Sequence, residues 1–203
     1  MIRLEREDAL WTVTIDRPDK ANSLTREMLV ALRDIARDAV GGPSVLVLTG
    51  EGRVFSAGAD LDEAKTGLAT DPVWEELSGA IAALPCLTIA VLNGTLAGGA
   101  FGMALACDLR IAVNGASFFY PVMKLGFLPQ PSDPGRLAAL VGPARAKLIL
   151  MGGARLSAED AMIFGLVDAV VPGNELMPFA RSLTEDAKGA GKAHVAAIKS
   201  MIG

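Results

Sequence analysis

The first part of the chain alternates between short apolar runs and polar loops. Residues 2–6 and 10–15 alternate in polarity or carry β-branched side chains on either side of a polar turn, which predicts an antiparallel hairpin. Thr25 precedes a segment whose apolar residues recur at helical spacing as far as Val40, so we expect a helix capped by Thr25. The apolar run at 44–50 predicts a buried strand.

The same alternation of strand and helix patterns continues through the rest of the chain, with no internal sequence repeat. The patterns predict helices from 61, at 72–84, 100–106, 136–141, 143–151, 158–164 and 174–201, and strands at 87–91, 108–113, 117–120 and within GLVDAVVP. Strands that alternate with helices are typical of the α/β class, in which a largely parallel sheet is covered on both faces. We therefore expect one α/β domain.

Composition narrows the class of protein. Of the 203 residues, 51% are hydrophobic, which is enough for a sizeable core. The formal net charge of −4 argues against a nucleic-acid partner, because tracking phosphates requires clustered Lys and Arg. No apolar stretch reaches the ~18–20 residues of a membrane span, and the charged N-terminus is unlike a signal peptide, so we expect no membrane contact and a cytoplasmic location.

Cysteine and histidine are too few to build a disulfide framework or a protein metal site. Cys86 and Cys107 lie in apolar surroundings, which predicts buried free thiols. His194 is the only histidine, and its position near the end of the chain predicts an exposed helix site. We therefore expect no bound metal.

Two loops of small residues precede predicted helices, SAGAD at 56–60 and AGG at 97–99. Ligands of open α/β sheets bind beyond the carboxyl ends of the strands, so both loops are expected to face one pocket. The N–H groups of Ala59 and Gly99 would there bind an oxygen that develops negative charge, as in an oxyanion hole. The alternative is that the glycines only allow tight turns and close packing.

Six segments in order resemble the crotonase superfamily, the enoyl-CoA hydratase/isomerase family. They are VTIDRPDKANSLT, VLVLTGEGRVFSAGADL, LTIAVLNGTLAGGAFGMALACDLRIAVNGASF, KLGFLP, LVGPARAKLIL and GLVDAVVP, and together they cover nearly the whole chain. The resemblance implies a crotonase-like spiral of ββα units with largely parallel sheets and flanking helices. It also implies an acyl-CoA thioester as ligand, coenzyme A being part of the substrate, and no tightly bound cofactor.

The resemblance assigns roles to particular residues. The thioester oxygen would be held by the N–H groups of Ala59 and Gly99, which stabilises an enolate. The acyl-CoA site would be formed by small or apolar residues and one acid, namely Ala21, Ala57, Ala59, Asp60, Leu61, Ala97, Gly98, Gly99, Gly102, Pro121 and Val122.

This chain departs from the family pattern where hydratases carry two glutamates that activate water and deliver a proton. By position these glutamates fall on Gly102 and Val122, neither of which can move a proton, so standard hydration is not expected and the standard isomerase mechanism is disfavoured.

Two other side chains are candidates for proton transfer in their place. Tyr120 is the only tyrosine, and Asp133 lies between two prolines in LPQPSDPGR, with Gln130 and Ser132 as lesser candidates. The alternatives are a buried tyrosine with a satisfied hydroxyl and an aspartate that caps a turn or helix.

The end of the chain bears on assembly. We expect a spiral core over 1–190 and, over 191–203, the start of a helical segment that in this family covers the active site and helps to build trimers. The resemblance therefore implies a homotrimer or a dimer of trimers, although little of that segment is present.

The favoured function is an acyl-CoA enzyme of lyase or isomerase type in fatty acid metabolism. Decarboxylation is attractive because loss of CO₂ forms the enolate without a base. The alternative is a non-catalytic acyl-CoA-binding or partner subunit. A serine peptidase is disfavoured, because Ser56 and His194 lack a recognisable triad context.

Overall fold

Long and short strands alternate along the computed structural model, which describes residues 1–202. The strands are β1 (Ile2–Glu7), β2 (Leu10–Ile15), β3 (Val45–Gly50), β4 (Val54–Ser56), β5 (Leu87–Leu92), β6 (Thr95–Ala97), β7 (Leu109–Val113), β8 (Ser117–Phe119), β9 (Leu156–Ser157) and β10 (Ala169–Val171). The α-helices are α1 (Arg26–Asp38), α2 (Leu61–Lys65), α3 (Val73–Ala82), α4 (Phe101–Ala106), α5 (Val122–Leu125), α6 (Asp133–Val141), α7 (Pro143–Leu150), α8 (Ala158–Phe164), α9 (Leu176–Ser182), α10 (Glu185–Ala190) and α11 (Lys192–Ile202).

The strands form two sheets, and successive turns of the chain add strands to both of them. The first sheet has the order β1-β2-β3-β5-β7-β10, and the second has the order β4-β6-β8-β9. Three successive turns, which begin at β3, β5 and β7, each add one long strand to the first sheet, one short strand to the second sheet and then a helix. Between the strands of residues 1–202, only the β1/β2 and β8/β9 pairs are antiparallel. The expected spiral of ββα units with largely parallel sheets is therefore confirmed.

Both faces of the six-stranded sheet are buried. On one face Leu46, Leu48 and Leu92 join the main core, which also contains the inner face of α1. Val47 and Ile89 point to the opposite face, which α9 covers. Because successive side chains of a strand point to opposite faces, a strand buried on both sides has the continuous apolar runs seen in the sequence.

Most of the long elements agree with the sequence predictions. The N-terminal hairpin is present, and the Met28 N–H donates to the Thr25 hydroxyl at the start of α1, at 3.2 Å. The predictions missed β4, β6, β9 and α5, because elements of two to four residues are too short to show a period. Consequently the loops at 56–60 and 97–99 follow the short strands β4 and β6, not the long strands before them.

The C-terminal helix α11 is tethered to the amino-terminal ends of two central strands. Lys199 Nζ donates to the Cys86 carbonyl oxygen at 3.0 Å and to Asp108 Oδ2 at 2.8 Å. Cys86 and Asp108 directly precede β5 and β7. The boundary between a core at 1–190 and a segment at 191–203 stays a prediction, and Gly203 lies outside the described residues.

The two cysteines are buried free thiols, as predicted. Burial raises the pKa of Cys86 to about 11 and that of Cys107 to about 12, so both remain protonated at neutral pH. Within residues 1–202, no helix combines the length and the apolar character needed to cross a bilayer. The same residues contain no group of three or more His, Cys, Asp and Glu side chains placed to hold a metal ion.

One fully buried amide fixes the segment that leads into α1. Asn22 Nδ2 donates to the carbonyl oxygens of Glu51 and Val54, at 2.9 and 2.6 Å, and Oδ1 accepts from the Arg17 N–H at 2.8 Å. Its backbone is left-handed, with φ of 52°, a conformation that asparagine tolerates better than most residues. The adjacent Ala21 carbonyl oxygen then accepts from the Ala57 N–H at 3.0 Å. Asn22 therefore supports the loop at 56–60.

We expect Asn22→Ala to lower the free energy of unfolding by roughly 3 kcal/mol, because it removes three hydrogen bonds to partly buried backbone groups and places alanine at a positive φ. Chemical denaturation measures the change, and exposed Lys20→Ala serves as the control, with an expected change within about 0.5 kcal/mol. Equal effects of the two substitutions would contradict the structural role assigned to Asn22.

Candidate active site

A cavity of about 140 Å³ lies where the two small-residue loops meet the segment that follows β8. The predicted site residues in its wall are Ala57, Ala59, Leu61, Ala97, Gly98, Gly99, Tyr120, Pro121 and Val122. Nearly all of these present apolar or backbone atoms. The sequence prediction that both loops face one pocket is therefore confirmed.

The two loops touch through their backbones at glycine positions. A Cβ built on Gly58 would lie 3.0 Å from the Ala97 carbonyl oxygen and 3.5 Å from the Gly99 nitrogen. Both Gly58 and Gly98 have positive φ, at 93° and 58°. A side chain at Gly58 would push the loops apart and would also strain the backbone. Glycine here is a requirement of the close approach.

The backbone geometry leaves two N–H groups available beside this contact. Leu24 and Ala59 form a parallel bridge. The Leu24 N–H donates to the Gly58 carbonyl oxygen, and the Leu24 carbonyl oxygen accepts from the Asp60 N–H, each at 2.8 Å. Since successive N–H groups of an extended segment point to opposite sides, that of Ala59 points away from Leu24. Gly99 lies in the first turn of a helical segment that begins at Gly98, where N–H groups lack an intrahelical acceptor.

Asp60 holds the first loop in place and is absent from the cavity wall. Its Oδ2 accepts from Arg17 Nη1 at 2.7 Å, and its Oδ1 accepts from the Asp62 and Glu63 N–H groups at the start of α2, at 3.1 and 3.4 Å. The hydrogen bond from Arg17 is the main cause that holds the pKa of the Asp60 carboxyl below its usual value. Asp60 therefore acts here as a helix cap and ion-pair partner.

Tyr120 and Asp133 are in direct contact at the rear of the cavity. The Tyr120 hydroxyl donates to Asp133 Oδ2 at 2.9 Å, and the Tyr120 ring stacks on Phe101 with centroids 5.3 Å apart. Asp133 is only 1% exposed. Tyr120 is therefore a buried tyrosine with a satisfied hydroxyl, as one alternative expected, but its partner is a carboxylate. The capping alternative for Asp133 is wrong, because α6 begins at Asp133 without a side-chain cap.

Gly102 provides the space for this carboxylate. Asp133 Oδ1 is buried and has no hydrogen-bond partner within residues 1–202. A Cβ built on Gly102 would lie 2.9 Å from this same oxygen, closer than real Cβ contacts allow. A larger residue at position 102 and the observed Asp133 position therefore exclude each other.

The buried environment changes the proton affinity of both groups. Burial raises the pKa of Asp133 to about 6, against the opposing effects of the Tyr120 hydrogen bond and the positive charge of Arg136. Burial, followed by the negative charge of Asp133, raises the pKa of Tyr120 well above its usual value. Asp133 thus titrates close to neutral pH, and Tyr120 stays protonated.

Comparison with known proteins identifies the family. The sequence matches the family model described as Enoyl-CoA hydratase/isomerase over residues 5–203. The chain belongs to the enoyl-CoA hydratase/isomerase family. Its relatives include the putative enoyl-CoA hydratase/isomerase YngF of Bacillus subtilis, which is 36% identical over 88% of this chain and 72% of the relative. Carnitinyl-CoA dehydratase of Salmonella enteritidis is 35% identical over 98% of this chain and 79% of the relative.

Solved structures of similar proteins share the fold of this chain. Enoyl-CoA hydratase from Bacillus anthracis superposes with a TM-score of 0.92 at 31% identity, covering 99% of this chain and 81% of that protein. DspI from Pseudomonas aeruginosa gives a TM-score of 0.91 at 31% identity, covering 99% of this chain and 85% of that protein.

Four of the predicted site residues do not line the cavity. Ala21 bonds to the loop through its carbonyl oxygen, Asp60 caps α2, and Gly102 and Asp133 pack against each other. Of the lesser candidates, Gln130 lines the cavity, whereas Ser132 bonds through its N–H and its hydroxyl to the Glu75 carboxylate.

Ser56 and His194 are occupied or placed elsewhere. The Ser56 hydroxyl donates to the Asn22 carbonyl oxygen at 2.8 Å. His194 is exposed on α11, as predicted, and borders a groove with Leu87 and Leu109 at the starts of β5 and β7. Ser56 ends β4, whereas His194 lies near the amino-terminal ends of β5 and β7. The two side chains therefore do not form a catalytic pair.

The cavity wall also contains large apolar residues that were not predicted as site residues: Trp74, Phe119, Leu125, Phe127 and Leu128. The Trp74 ring comes within 3.3 Å of a Cβ built on Gly99. No local pattern marks Trp74, because it reaches the loop from α3. The apolar run from Leu125 to Leu128, much of it exposed, was a signal that could have been used.

The raised pKa of Asp133 predicts a pH-dependent loss of stability. The folded protein binds this proton at about pH 6 and the unfolded chain at about pH 3.9, so Asp133 lowers stability progressively as pH rises through that window. We expect Asp133→Asn to gain about 2–3 kcal/mol relative to the unsubstituted protein between pH 4 and 7, measured by denaturation at each pH.

Asp60→Asn is the matched control with the opposite sign. Because the folded pKa of Asp60 is lowered, its ionised form is the stabilising one, and the substitution should lose relative stability as pH rises towards the usual carboxyl pKa. A pH-independent difference for Asp133→Asn would refute the assigned environment.

Proposed function

We propose that this protein is an acyl-CoA enzyme that stabilises a thioester enolate between the N–H groups of Ala59 and Gly99. The observation that supports this most directly is the contact of two loops that leave these two N–H groups without loop acceptors beside an apolar cavity. Each such donor contributes about 3 kcal/mol to stabilising a developing oxyanion. The relatives' names, which include a carnitinyl-CoA dehydratase, support a coenzyme A thioester as substrate.

The size of the cavity supports a division of the ligand. At about 140 Å³ it is smaller than the roughly 300–1,000 Å³ that encloses a drug-sized molecule. We assign it to the thioester and a short acyl group, with the nucleotide part of coenzyme A outside the enclosed space. The residues around Ala21, Ala57 and Leu61 would border that part.

Standard hydration is not part of the proposal. The positions at which hydratases of the family would carry their two glutamates are Gly102, which faces Asp133, and Val122, which is 7% exposed in the cavity wall. Neither can activate water. We propose a lyase or isomerase reaction that proceeds through the enolate, carried out by a cytoplasmic protein in fatty acid metabolism.

Assembly into a homotrimer, or a dimer of trimers, is part of the same proposal. Exposed apolar side chains at the end of α7 and on α8, among them Met151 and Ile163, support contact between copies of the chain.

The decisive experiment offers several coenzyme A thioesters in deuterated water and follows them by mass spectrometry. Crotonyl-CoA, a 3-enoyl-CoA, methylmalonyl-CoA and a β-diketone acyl-CoA test different reactions of one enolate. Deuterium uptake or a mass change supports the proposal, whereas water addition to crotonyl-CoA would show that Gly102 and Val122 do not prevent hydration. Binding of thioesters without any turnover would favour the alternative, a non-catalytic acyl-CoA-binding or partner subunit, for which the loss of both glutamates is the supporting observation.

We expect Gly58→Ala to lower kcat/KM by about 100-fold, because the added Cβ separates the Ala59 and Gly99 N–H groups. Gly153→Ala is the control, since Gly153 has a similar positive φ of 67° but open space around its Cβ. Both variants carry the same kind of backbone strain, so comparable activity losses would contradict the assignment of the oxyanion site.

A further inference from the structure

We infer that Tyr120 and Asp133 form a proton relay to the α-carbon of the bound thioester, with the Tyr120 hydroxyl in contact with substrate and Asp133 behind it. The inference rests on the proposed function and specifies how that site moves protons.

The relay follows from which group reaches the cavity. Both residues are buried, with Tyr120 4% and Asp133 1% exposed, but only Tyr120 belongs to the cavity wall. Its hydroxyl also accepts from the Gln130 N–H at 3.4 Å. The 2.9 Å hydrogen bond from the Tyr120 hydroxyl is the link between that carboxylate and the cavity. Asp133 therefore exchanges protons with a ligand through the phenol. Stacking on Phe101 holds the Tyr120 ring in position.

The position of Gly102 explains why the carboxylate stands at this point. Gly102 lies three residues after Gly99, in the first turn of α4, and the space in front of its Cα contains Asp133 Oδ1. The carboxylate thus occupies the volume into which a side chain from the first turn of α4 would extend. An acid supplied by α6 takes the place of one supplied by α4.

The two charged side chains near Asp133 are hydrogen-bonded to other residues. Glu75 on α3 accepts from the Ser132 N–H at 3.2 Å, and Arg136 on α6 donates to the Ser78 hydroxyl at 2.9 Å. In the described chain, neither forms a hydrogen bond with Asp133, and Oδ1 lacks a partner. A buried carboxylate with one neutral donor is a stronger base than an exposed one, which accords with its raised pKa.

Two protons and one electron pair move in the proposed step. The Cα–H bond of the thioester breaks, its proton goes to the Tyr120 oxygen, and the Tyr120 proton moves to Asp133 Oδ2. The electron pair of the Cα–H bond passes to the thioester oxygen, which the Ala59 and Gly99 N–H groups stabilise. Return of the proton to Cα gives exchange, and delivery to Cγ of a 3-enoyl thioester gives the conjugated 2-enoyl isomer.

The same charge distribution selects the substrate. The relay is active as a base when Asp133 is ionised, and that negative charge opposes a second carboxylate in the acyl group. The geometry therefore favours neutral acyl chains, with a 3-enoyl thioester as substrate class, over malonyl-type thioesters.

The experiment measures deuterium exchange into 3-butenoyl-CoA in deuterated water between pH 5 and 8. For the unsubstituted protein we expect the rate to rise with pH and to level off above the Asp133 pKa near 6. Tyr120→Phe should lower the plateau about 100-fold and leave thioester binding unchanged, because the ring and its stacking on Phe101 remain. Asp133→Asn should lower the plateau similarly and abolish the rise, and the double variant should lose no more.

A second variant keeps the test informative if Asp133→Asn folds poorly. Gly102→Ala displaces the Asp133 carboxylate and should reduce exchange, whereas Gly135→Ala on α6, with open space around its Cβ, should not. Exchange that survives in Tyr120→Phe, or a pH profile that survives in Asp133→Asn, would overturn the relay while leaving the proposed enolate enzyme intact. Absence of exchange from every thioester by the unsubstituted protein would overturn both.

Discussion

The candidate site depends on the direct contact of two backbone segments, Gly58–Ala59 and Gly98–Gly99. Parallel pairing of β4 with β6 brings the segments side by side, and glycine allows them to approach without an intervening Cβ. The surrounding interactions all maintain this contact. Asn22 supports the first loop from below, Arg17 and Asp60 fix its exit into α2, and Trp74 packs against the second loop.

Much of this arrangement could be predicted from the sequence, because it is encoded locally. Apolar runs predicted the long strands, helical spacing predicted α1, and small residues between a strand and a helix predicted the two loops. The short strands β4 and β6 could not be predicted, since three residues show no period and their pairing depends on the sheet. Trp74 was missed because its contact joins residues 25 positions apart, a distance fixed only by the folded position of α3.

Tyr120 and Asp133 show a different limit of sequence reasoning. Each was a candidate alone, as the only tyrosine and as an acid between prolines, but their hydrogen bond joins the start of α6 to the segment after β8, which only the folded chain brings together. The absence of a side chain at Gly102 is what makes the contact sterically allowed. Gly102 stands where the resemblance implies a glutamate, and its lack of a side chain leaves room for the Asp133 carboxylate.

The two buried or half-buried acids of the region represent opposite uses of the same side chain. Asp60 has hydrogen-bond donors on both oxygens and stabilises the fold in its ionised form. Among the residues that the structure describes, Asp133 has one donor and one oxygen without a hydrogen-bond partner, an arrangement that costs stability and is typical of sites retained for chemistry.

The position of Trp74 allows ligand binding to be followed by intrinsic tryptophan fluorescence. The protein has two tryptophans, and Trp11, which is absent from the cavity wall, lies in β2 with its ring against the Arg6 guanidinium. Trp74 is buried in the cavity wall, with its indole N–H bonded to the Leu68 carbonyl oxygen at 2.8 Å. A ligand that enters the cavity therefore replaces solvent or empty space next to an indole whose emission responds to polarity, so occupancy can be followed by fluorescence without a label.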